Sequence, residues 1–142
     1  MDGDTTFWDA VDAVRAERPR YAREAYGFLV VALGATVQAL PSERREDPVA
    51  RHLSGGELVS GMVRFARSEF GPLAPMVFRE WRVLTSEDVG AIVLDLVECG
   101  QLSARPEDTI EAFRGGEDLL ERLGARTESQ VPPGPPPEIP PA

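Results

Sequence analysis

The sequence predicts an all-α fold: a single multi-helix domain over about residues 5–124, followed by a disordered proline-rich tail over 125–142. Three observations carry this. From Ser54 to Ser103, helix start signals, apolar residues at helical spacing and stop signals agree three times in a row. Residues 19–40 read as a helix that is apolar nearly all round, which other helices must cover. The end of the chain, TESQVPPGPPPEIPPA, carries seven prolines in sixteen residues and cannot build a core.

In chain order, Thr6 and Asp9 read as a cap, with Phe7, Val11 and Val14 at helical spacing up to Pro19. Trp8 reads as a core anchor. Pro19 would open the long central helix, running to about Leu40, with Tyr21, Ala25, Phe28, Leu29, Ala32, Leu33 and Val37 apolar and only Arg23 and Glu24 polar. Residues 41–53, PSERREDPVARHL, read as a surface loop. Ser54 and Glu57 have capping-box spacing. Leu58, Val59, Met62, Val63, Phe65, Ala66 and Phe70 then form an apolar stripe that ends at Gly71-Pro72. A shorter helix over 72–81 follows, with Leu73, Met76, Val77 and Trp81 as its apolar face and Glu80 in register. Thr85 and Asp88 cap a helix over 86–99. In it Val89, Ile92, Val93, Leu96 and Val97 face the core, while Glu87, Asp88, Asp95 and Glu98 form a solvated side. Gly100 stops it. At most one short strand pair, Arg82–Leu84 against Gln101–Ser103, could form and make this part winged-helix-like. Pro106 opens a last short helix with Ile110 and Phe113 inward, Gly115-Gly116 breaks it, and Glu117–Leu123 adds a final turn or two.

Composition narrows the function classes. All 15 basic residues are Arg, scattered along the chain, and the net charge is −9. Nucleic-acid binding needs clustered positive charge, so it is disfavoured, as is adhesion to anionic membranes. The single cysteine, Cys99, excludes an internal disulfide and fits a reducing compartment. The acidic start MDGDTTFWDA does not resemble a signal peptide. The longest apolar run, Ala25 to Ala35, falls short of the roughly 20 residues that span a bilayer. The expected location is the cytoplasm.

No residue is assigned a catalytic, cofactor-binding or metal-binding role. His52 has no ligand pattern or catalytic partner around it. Cys99 lies at a helix C-terminus beside Glu98, both of which disfavour a thiolate. Ser54-Gly55-Gly56 lacks the preceding strand and lysine of a phosphate loop, so capping explains it. The PxxP spacing in Pro132–Pro137 would suit an aromatic groove, but solvated ends have this composition too. The sharpest alternative is a helix-turn-helix reader made of helices 72–81 and 86–99. Its reading helix would present Glu87, Asp88, Asp95 and Glu98 to phosphate, the wrong sign. Arg64, Arg67, Arg79 and Arg82 would supply a modest basic patch beside it.

The stretches RYAREAYGFLVVAL, RHLSGGELVSGMVRFARSEFGPLA and WRVLTSEDVGAIVLDLVECGQLS resemble an uncharacterised, conserved-hypothetical bacterial family first described as restricted to Verrucomicrobia and Planctomycetes. The likeness covers roughly Phe7 to Phe113. It rests on the tyrosine-rich helix start, the H-x-S-G-x-E-L run (His52, Ser54, Gly55, Glu57, Leu58), Phe70-Gly71, and the T-x-x-D-x-G run (Thr85, Asp88, Gly90). One departure is Arg82, where glycine follows the tryptophan in that family. The resemblance implies no activity and no site residues.

The leading expectation is a non-enzymatic protein-interaction or adaptor module. The alternatives are a winged-helix-like nucleic-acid-binding regulator and an enzyme with an unrecognised acidic site. A protein partner or a homodimer is expected, through an aromatic face of Trp8, Tyr21, Tyr26 and Trp81.

Overall fold

A computed structural model describes residues 2–49, 52–102, 113 and 118–124. The described residues form α1 (Asp2–Glu17), α2 (Arg23–Gln38), a single turn α3 (Ser42–Arg45), α4 (Gly55–Phe70), a 3-10 turn (Gly71–Leu73), α5 (Ala74–Trp81), α6 (Ser86–Glu98) and α7 (Leu119–Gly124). The all-α expectation holds. As the long apolar run requires, α2 lies at the centre and touches α1, α4, α5 and α6. Its own Tyr26 and Leu29, and Met62, Phe78, Ile92 and Leu96 from the helices around it, are fully buried. Each such side chain contributes roughly 2 kcal/mol of burial, against at most about 1 kcal/mol for an exposed ion pair such as Arg18–Glu98, so apolar packing holds the fold. The most extensive contact is between α2 and α4. There a Cβ on Gly61 would overlap the Thr36 side chain, so only glycine lets the helices come this near.

Both capping boxes form. Ser54 Oγ accepts the Glu57 N–H at 3.1 Å and Glu57 Oε1 accepts the Ser54 N–H at 2.9 Å. At α6, Thr85 Oγ1 accepts the Asp88 N–H and Asp88 Oδ2 accepts the Thr85 N–H, both at 3.1 Å. Gly71 caps α4 at φ +56°, a left-handed angle that costs glycine little. Phe113 is buried as expected, and the final turn appears as α7, with Leu119 and Leu123 inward. Pro106, Ile110, the Gly115-Gly116 break and the tail lie outside the described residues.

Several boundaries differ from the sequence reading. The first helix starts at Asp2, so Thr6 sits inside it and caps nothing. Pro19 does not open α2. Residues 18–22 form a separate connector, because Arg15 Nε donates to the Tyr21 carbonyl at 2.7 Å and the Ala22 N–H donates to the Trp81 carbonyl at 3.2 Å. These tethers hold Ala22 extended (ψ 148°), and the helix starts only at Arg23. No strand forms among the described residues. The Gln101 and Leu102 N–H groups both turn back onto the Leu96 carbonyl, and Arg82 takes a left-handed conformation at φ +67° as the C-cap of α5. The winged-helix pairing is therefore absent there. A left-handed cap is where glycine fits best, and here a side chain occupies it.

The apolar face of α5 also differs. Ala74 and Phe78 are buried, whereas Leu73 and Met76 are each 56% exposed. At 100° per residue, Met76 stands 160–200° around the helix from Ala74 and Phe78. The 73/76/77/80/81 pattern is a sound helical stripe, but the Phe78 ring packs tilted against Trp81 at 5.5 Å and edge-on against Phe28 at 5.9 Å between centroids. That aromatic cluster sets the helix phase.

Candidate functional site

Three places could carry chemistry: the seam between α2 and α6, the outer side of α5, and a cleft between α2 and α4.

The seam gathers most of the polar side chains that the sequence offers. Tyr21 Oη donates to Asp88 Oδ1 at 2.7 Å, and Tyr26 Oη donates to Asp95 Oδ2 at 2.7 Å. Asp88 also accepts from the Leu84 and Thr85 N–H groups and from Arg20 at 3.3 Å. Arg18 bridges Asp95 at 3.0 Å and Glu98 at 2.8 Å. Burial, followed by the hydrogen bond to each carboxylate, pushes both phenols well above their ordinary range, so they remain protonated donors. The oxygens of Asp88 are filled by donors from this chain, which leaves no lone pair poised as a base. The acidic side of α6, expected to be solvated, is thus mainly an internal anchor; only Glu98 of α6 is exposed. Asp88 and Asp95 lie seven residues apart, on one helix line, a signal that would have revealed a shared purpose.

The expected aromatic interface does not exist as such. Tyr21 and Tyr26 are 2% and 0% exposed. Trp8 packs edge-on to Phe7 and lies under the Arg23 guanidinium at 4.3 Å, and Trp81 joins Phe28, Phe70 and Phe78. What is open is the side of α5 carrying Pro72, Leu73 and Met76, with Arg79, Glu80 and Arg82 exposed beyond them. Among the described residues Arg79 and Arg82 have no acidic partner within ion-pair distance.

The cleft lies where the C-terminal half of α2 meets the first turns of α4. It encloses about 300 Å³. Leu40, Leu53 and Ala39 line one part of it; Thr36, Ser60 and Arg64 line the other. Glu57 stands at its edge in a two-pronged pair with Arg44, at 2.6 and 2.7 Å. That pair, aided by the capping hydrogen bond, holds the Glu57 carboxyl down to about 2.

The remaining candidates disperse. His52 is half-buried near the start of α4, and its carbonyl accepts from Arg44 at 3.3 Å. The Cys99 thiol donates to the Leu96 carbonyl at 3.6 Å. Ser54 is spent on its cap. The four arginines do not form one patch. Arg64 lines the cleft near the end of α2, while Arg82 follows Trp81, which holds Ala22 at the start of α2, roughly 20 Å away by helix rise. Among the described residues no helix is long and apolar enough to cross a membrane. Comparison of the chain with protein-family models, curated proteins and solved structures finds no match.

Proposed function

We propose that this chain is a cytoplasmic, non-enzymatic protein-interaction module that docks a partner on the outer side of α5. The observation that carries the reading is the exposure of Leu73, at the end of the 3-10 turn, and of Met76, three residues on in α5, 56% each, while Ala74 and Phe78 of α5 are buried. A Leu–Met pair on a rigid backing offers apolar area and an adaptable thioether, which suits recognition. Arg79 and Arg82 beside it have no acidic partner among the described residues, on a protein that is acidic as a whole. The fitting partner is therefore a helix or segment with apolar anchors followed by acidic residues. The polar groups of the seam support the same reading from the other side, since they are spent on holding the fold.

Affinity capture from host extract with quantitative mass spectrometry tests this. Wild type is compared with the double variant Leu73→Asp/Met76→Asp and with Val31→Asp, a second exposed apolar site. The proposal expects a species lost from the double variant and retained by Val31→Asp. The same set of species on all three proteins would overturn it.

A further inference from the structure

We infer that the cleft between α2 and α4 binds a small monocarboxylate with a short aliphatic chain. The argument begins with what its polar groups already do. Thr36 donates its hydroxyl proton to the Ala32 carbonyl at 2.7 Å, so it has no proton left to give. Glu57 is occupied by Arg44. Ser60 Oγ accepts from Arg122 Nη2 at 2.9 Å, and among the described residues its own proton has no acceptor. Arg64, exposed, has no ion-pair or hydrogen-bond partner among the described residues. Ser60 and Arg64 are one turn apart on α4, so they project from the same side of the helix. The cleft therefore presents two uncommitted donors, one of them a guanidinium, and Arg122 behind Ser60 polarises the hydroxyl.

A planar fork of N–H donors matches a carboxylate in shape as well as charge. Among the described residues that line the cleft, Arg64 is the one cation without a partner, and its charge balances one negative charge. A phosphate dianion would carry one negative charge more than Arg64 balances, because Arg44 is already spent on Glu57 and no other basic residue among the described ones lines the cleft. The other wall, Leu40, Leu53 and Ala39, is apolar and suits a hydrocarbon tail rather than a sugar or a base. The volume, about 300 Å³, is at the small end of ligand sites, which limits the guest to a few carbons. This site is separate from the α5 surface and does not depend on it.

The test is an amide chemical-shift titration of the whole protein with hexanoate, hexanamide and inorganic phosphate. Hexanoate is expected to give saturable shifts clustered at Leu53, Ser60 and Arg64. Hexanamide, which lacks the charge, should bind about tenfold more weakly, because a charge-assisted pair is replaced by a neutral one. Arg64→Gln should weaken hexanoate by about the same factor. Its melting temperature should be unchanged, since Arg64 makes no hydrogen bond or ion pair among the described residues, and Ser60→Ala should weaken binding less. Shifts that are scattered, equal for the amide, unaffected by Arg64→Gln, or reproduced by phosphate would overturn the assignment.

Discussion

Helices α5 and α6 are neighbours in sequence and opposites in use. α6 looks amphipathic, with four acidic residues opposite its core stripe, yet that acidic side is drawn inward: Asp88 anchors Tyr21 and two backbone N–H groups, and Asp95 anchors Tyr26. α5 carries a regular apolar stripe, yet two members of it, Leu73 and Met76, face out. Helical spacing identifies a face but not its partner. A carboxylate is drawn inward where a buried donor needs it, and an apolar residue is left outside where larger aromatics have already fixed the helix phase.

The largest expected effect breaks the α6 side. Asp88→Ala strands the Tyr21 hydroxyl and the Leu84 and Thr85 N–H groups and removes half of a capping box. It should lower stability by about 3 kcal/mol in a denaturant titration. A loss below about 1 kcal/mol would mean that the seam is incidental.

A smaller effect comes from the phenols. Tyr21→Phe and Tyr26→Phe should each cost about 1 kcal/mol at neutral pH. The sign with pH follows from the raised phenol values. In the unfolded chain each tyrosine ionises near 10.0, while the folded state holds its proton to higher pH. Their stabilisation is therefore complete below pH 10 and declines as the pH rises above it. Because the chain has only two tyrosines, tyrosinate absorbance reports on this seam alone. It should appear together with alkaline unfolding, not before it, and the two Phe variants should show a flatter decline.

The smallest effect, and the only gain, concerns the end of α5. Arg82→Gly relieves a left-handed angle that costs a side chain about 1 kcal/mol, offset in part by the greater freedom of glycine in the unfolded chain. The melting temperature should rise, by the equivalent of about 0.5 kcal/mol.

Much of the fold was legible because its signals are local. The Ser54–Glu57 and Thr85–Asp88 caps, the stop at Gly71 and the Val89–Leu96 stripe each depend on residues within a few positions. The connector at 18–22 was not legible, since it is held by Arg15 and by the Trp81 carbonyl, contacts that no window around Pro19 contains. The same holds for the seam: the sequence placed Tyr21 and Tyr26 on one helix and Asp88 and Asp95 on another, and only packing makes them partners. The cleft was the least visible feature, because it joins Leu40, Leu53 and Arg64 across a loop that reads as plain surface.

Hydroxyl-radical footprinting of the free protein at low micromolar concentration tests the contrast between the two helices most directly, because the probes on both sides oxidise readily. Met76 should be modified rapidly, while Met62, Tyr21 and Tyr26 should stay protected until the protein unfolds. Protection of Met76 comparable to that of Met62, or rapid modification of the two tyrosines in the folded state, would contradict the account.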